Sequence, residues 1–101
     1  MDQHSAAELS WRLDFNVQPD FYVSGDGMLE VIEKMRKRGF DLQIDLQSME
    51  MGGAFVEFTE VDMSQTTRID LDAYRLPEAV AMCALRALQA TNLRSADTSR
   101  R

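Results

Sequence analysis

Cysteine, histidine and basic residues are scarce in this chain, and each scarcity closes off a class of function. Cys83 is the single cysteine, which rules out an internal disulfide and fits a reducing compartment. His4 is the single histidine and falls in a polar leader, whereas Ser–His or Cys–His catalysis needs a base held on a rigid scaffold. Lysine and arginine number 11 against 17 acids, for a net charge of −6. That is the wrong sign for a protein that grips a phosphate backbone. No apolar run approaches the ~20 residues that cross a bilayer, and residues 1–10 lack the basic and hydrophobic regions of a secretory signal. The composition therefore reads as a soluble cytoplasmic protein with no direct nucleic-acid or membrane partner, and no cofactor is called for.

Glycine and proline are also few, at 5 and 2, so each one punctuates. The clearest stretch is 26–46. Met28, Val31, Ile32 and Met35 recur at helical spacing as one apolar stripe. Ser24 or Asp26 can cap its start, Lys34, Arg36, Lys37 and Arg38 crowd its last turn, and Gly39 stands where a helix stops. The chain then alternates at once: Phe40, Leu42, Ile44 and Leu46 point one way, Asp41, Gln43, Asp45 and Gln47 the other. A turn at 48–53 with two glycines leads to a second strand, 54–61, with Ala54, Val56 and Phe58 inward. After a polar connection at 62–66, a third strand at 67–72 sets Ile69 and Leu71 against Arg68, Asp70 and Asp72.

Pro77 and Glu78 open a last helix, expected to reach about Thr91, in which only Glu78, Arg86 and Gln89 are polar before that final threonine. A helix so apolar all round needs more cover than one sheet face gives. Either the N-terminal segment packs on it or a second subunit does, and the latter motivates an expected homodimer. At the other end, Ser5 and Glu8 form a capping-box pattern for a short helix over 5–10. Residues 11–17 can be read as strand or helix, because Trp11, Leu13, Phe15 and Val17 alternate with polar residues. The expected architecture is α+β: a three-stranded antiparallel meander flanked by two main helices, with a short N-terminal helix, in the order α-α-β-β-β-α. The expected organisation is a disordered leader at 1–4, one domain at 5–91 and a flexible tail at 92–101.

Eight acids and a single base, Arg68, lie between Asp41 and Asp72. Strand alternation places Asp41, Asp45, Glu57, Asp70 and Asp72 on one outward sheet face. Such a face either only keeps a small domain soluble or binds a cationic partner. Phe55 and Tyr22 are the aromatic anchors for such an interface if they lie near it. Asp70 and Asp72 alone are too few oxygen ligands for Mg²⁺ or Ca²⁺, and no metal is expected. Ser24–Gly27 is read as a helix cap; an anion-binding N-terminus is the alternative, and a nucleotide or signal-molecule binder would use it. Cys83 lacks an activating neighbour in sequence and reads as a core residue.

Tyr22-Val-Ser-Gly-Asp26, Val31-Ile-Glu-Lys-Met35, Arg38-Gly-Phe40 and Leu76-Pro-Glu-Ala-Val80 with Cys83-Ala-Leu-Arg-Ala-Leu88 resemble the phage ABA-sandwich domain family over roughly residues 20–90. The family's usual aromatic after the turn is here Phe55 rather than tryptophan, and the 62–66 loop is individual. The resemblance implies a small phage or prophage accessory protein working in the host cytoplasm, with no catalytic residues to carry over. Together with the charge pattern, it points to a non-enzymatic protein that binds a basic host protein, a host-defence inhibitor being the most concrete form.

Overall fold

The computed structural model describes residues 1–14, 21–46, 53–62, 65–71 and 75–99. Three helices and three strands follow in the order α1 (Gln3–Arg12), a 3₁₀ turn (Phe21–Val23), α2 (Gly25–Lys37), β1 (Phe40–Leu46), β2 (Ala54–Glu60), β3 (Gln65–Asp70) and α3 (Leu76–Ser99). This is the expected α+β meander. The strands lie antiparallel in the order β1-β2-β3, with Leu42 opposite Phe58, Ile44 opposite Val56, and Val56 opposite Ile69.

The α2–β1 unit forms for the local reasons its sequence shows. Ser24 is extended and its hydroxyl accepts the Gly27 N–H at 3.1 Å, so Ser24 rather than Asp26 is the cap. Val31 and Met35 are buried. Gly39 has φ 91, a left-handed conformation that costs glycine nothing. The chain can therefore reverse within one residue and lay β1 back along α2.

The N-terminal segment departs from expectation. Asp2, not Ser5, caps α1: its carboxylate accepts the Ser5 N–H at 2.7 Å, which holds the Asp2 acid below its usual range. The helix thus begins at Gln3 inside the expected leader, and His4 is an exposed helical residue. It also runs past 10, so the strand reading of 11–14 is corrected. Trp11 is helical, and Leu13 is the C-cap before Asp14 turns left-handed at φ 58. Aspartate tolerates that conformation better than most residues. Residues 15–17 and the 48–52 part of the expected turn lie outside the described residues.

The α3 helix is also longer than expected, running on to Ser99. No glycine or proline follows Pro77 to stop it. It is the hub of the fold. Ala79, Val80, Ala81, Cys83, Ala84, Leu85, Ala87 and Leu88 are all buried, because β2, β3, α2, the 3₁₀ turn and α1 pack around it. Ala6, Leu9 and Leu13 of α1 join the same core. The chain's own first helix supplies part of the cover that its apolar surface demands, which is the first of the two alternatives the sequence left open. Each fully buried Val, Leu or Phe contributes about 1.5–3 kcal/mol, and Phe58 also meets Phe40 edge to face at 6.4 Å between ring centroids.

Candidate functional site

All helical packing falls on the sheet face that carries Phe40, Val56, Phe58 and Ile69. The register then fixes what the opposite face presents. Asp45, Phe55 and Asp70 form one row across the strands; Gln43, Glu57 and Arg68 form the next; Asp41, Thr59 and Thr66 form the third. Alternation therefore delivers four of the five carboxylates expected together, Asp41, Asp45, Glu57 and Asp70, to one surface that no described element covers. Asp72 lies outside the described residues. Four carboxylates face one guanidinium, so the surface is strongly negative.

The centre of this surface is ordered by Arg68. Its guanidinium carbon sits 4.0 Å from the centroid of the Phe55 ring, and Nη2 lies 3.4 Å from Glu57 Oε2. At that distance the cation is attracted to the face of the ring. The Glu57 side chain is 14% exposed against 55% for Arg68. Thr59 and Thr66 bond across the neighbouring row at 3.3 Å. The outer face is thus an aromatic–arginine pair ringed by carboxylates. Arginine and aromatic residues carry much of the energy at protein interfaces. Arg68 could be found in sequence only as the single base of its acidic stretch, since its seat on Phe55 depends on the β2–β3 register.

Tyr22 does not belong to this surface. It sits in the 3₁₀ turn, half-buried against the core, and that turn packs on α2 and α3, on the opposite side of the sheet. Of the two aromatics expected near the acids, only Phe55 is there.

Sequence reasoning did not anticipate a second feature, an open cleft of about 710 Å³ where α1, the C-cap of α2, β1, the end of β2 and α3 converge. Trp11, Arg12, Arg38, Phe40, Glu60 and Thr91 are among its lining residues. Its polar groups are engaged with one another. Arg12 Nε donates to Glu8 at 2.8 Å, Gln89 donates to the same carboxylate oxygen at 3.2 Å, and Arg38 donates to the Arg12 carbonyl at 2.6 Å. Thr91 Oγ1 lies 3.3 Å from Glu60 Oε2. The bonds from Gln89 and Arg12 hold the Glu8 acid below its usual range. This network ties α1 to α3 and to the end of α2. The small-ligand alternative had been placed elsewhere, at Ser24–Gly27, where the Gly27 and Met28 N–H groups are already bonded to Ser24.

Cys83 is buried and donates its thiol proton to the Thr67 carbonyl at 3.1 Å. Burial pushes its pKa up to about 11, opposite to what a nucleophile needs. Among the described residues, no group of three or more His, Cys, Asp or Glu is placed to hold a metal ion. No helix among them is long and apolar enough to cross a membrane. Compared with protein-family models, curated proteins and solved structures, the chain matches none.

Proposed function

We propose that this protein is a non-enzymatic binding module that docks a partner protein with a basic surface onto the outer face of its sheet. The observation that supports this is the gathering of Asp41, Asp45, Glu57 and Asp70 on one face around the Phe55–Arg68 pair. The hydrophobic core uses none of these side chains, being built on the other side of the sheet. Placing like charges on one small surface opposes folding slightly. Opposite charge on the partner would speed encounter and fix orientation, while the aromatic–arginine centre would hold the complex. With the resemblance to phage ABA-sandwich domains, the reading becomes a phage or prophage accessory protein acting on a host protein in the host cytoplasm, most concretely a host-defence inhibitor.

The test is to capture partners from host lysate on the immobilised wild type and on the triple variant Asp41→Lys, Asp45→Lys, Asp70→Lys. The wild type should retain a protein that elutes as salt is raised, and the variant, with unchanged circular dichroism, should lose it by at least a hundredfold. Equal retention by both would remove the outer face from consideration.

A further inference from the structure

We propose that the outer edge of β1 is a strand-addition site for an extended segment of a partner protein in which basic and apolar side chains alternate. The inference rests on the reading of the acidic face as a docking surface and adds how the partner is held there.

The backbone supplies the first part of the argument. The Val61 N–H donates to the Gly39 carbonyl at 2.9 Å. With the β1–β2 register, this makes Asp41–Thr59, Gln43–Glu57 and Asp45–Phe55 the hydrogen-bonded pairs. The N–H and C=O groups of Leu42, Ile44 and Leu46 therefore point away from β2, toward an edge along which no described strand runs. Exposed edges are usually blunted by charged side chains, above all lysine, by proline or by a bulge. The β1 sequence, FDLQIDL, has no lysine or proline, its pairing with β2 is unbroken from Phe40 to Leu46, and its only charges are the carboxylates of Asp41 and Asp45.

The side chains then say what can pair there. On the helix side of the strand, Leu46 is 70% exposed and Ile44 37%, so the distal half of the edge offers apolar contact. On the other side stand Asp41 and Asp45. Pairing β1 along its whole length with β1 of a second copy, antiparallel, sets Asp41 of each copy opposite Asp45 of the other. Those pairs would be the non-hydrogen-bonded kind, in which side chains approach closest, and like charges directly opposite destabilise a sheet. The same carboxylates that repel a second copy attract a strand with lysine or arginine on its outer side and aliphatic residues on its helix side. Main-chain bonds would provide affinity and the alternating side chains selectivity.

A dye-labelled, end-blocked peptide of alternating lysine and valine, with the length of β1 at 7 residues, is the probe, with a glutamate–valine peptide as control. Fluorescence anisotropy should show saturable binding of the lysine peptide and none of the control. Ile44→Pro removes one edge-facing N–H that β2 does not use, a substitution edge strands tolerate, and should weaken binding by roughly tenfold or more. Asp41→Lys should do the same. Independently of any variant, adding the peptide to the wild type should slow amide hydrogen exchange at Ile44 and Leu46. Unchanged exchange at these amides, or no binding of the lysine peptide at millimolar concentration, overturns the strand-addition site. Binding that survives Ile44→Pro but is lost in Asp41→Lys overturns it too, while leaving the acidic-face reading intact.

Discussion

On the helix side of the sheet, Val56 and Phe58 have no solvent exposure and belong to one apolar core with α1, α2 and α3. On the other side of the same three strands, Asp41, Arg68 and Asp70 are exposed, and the contacts include an ion pair, a cation–aromatic stack and a threonine pair. One backbone thus carries two surfaces built on different physics. The inner one is held by close packing, where the loss of a few atoms is felt throughout. The outer one is held by solvent-screened polar contacts worth little each. Residues of the first kind specify the fold, and those of the second are free to be spent on recognition.

The sharpest way to break this contrast is Phe58→Ala. It removes a fully buried ring from the centre of the inner face and its edge-to-face contact with Phe40. Urea denaturation should show a loss of about 3–5 kcal/mol. A loss under about 1 kcal/mol would mean that the inner face is not the organising core.

Glu8 gives an intermediate effect, since it is polar yet joins α1 to α3 through Arg12 and Gln89. Its acid is held down mainly by the Gln89 bond and then by Arg12. Its contribution to stability is therefore complete above the ordinary glutamate range and is lost as pH falls through its lowered native value. Wild type should melt higher than Glu8→Gln at neutral pH, and the gap should close on acidification through that window. A gap independent of pH would show that the ionised carboxylate is not what ties the helices together.

The smallest effect belongs to Arg68→Ala on the outer face. Its ion pair and its stack on Phe55 are both largely solvent-screened, so thermal unfolding should shift by no more than about 1 kcal/mol. A larger loss would mean that the outer face supports the fold as the inner one does.

What could be read from the sequence follows the same division between local and long-range physics. The Ser24 cap, the Gly39 stop and the alternation of Phe40–Leu46 depend on neighbours a few residues apart, and each is found where its chemistry put it. The shared side of Asp41, Asp45, Glu57 and Asp70 follows from a period of two once the strands pair in a meander. The α1 boundary was harder, because Asp2 and Ser5 are both good caps, and choosing between them depends on how the helix seats Ala6, Leu9 and Leu13 against α3. Glu8 and Arg12 stand at ordinary helical spacing, but the Gln89 bond to Glu8 and the Arg38 bond to Arg12 join residues far apart in the chain. No local spacing announces those two bonds, and the cleft beside them is lined from distant parts of the chain.

The position of α3 has a consequence for how this molecule is made. The element against which α1, α2, β2 and β3 all rest is synthesised after every one of them. While the ribosome is still translating toward Leu88, the earlier segments have emerged without the surface that would bury Leu9, Val31 or Phe58. Vectorial synthesis therefore gives the nascent chain no stable halfway point, and a transcript cut short before residue 76 would yield greasy, protease-sensitive fragments rather than a smaller working domain.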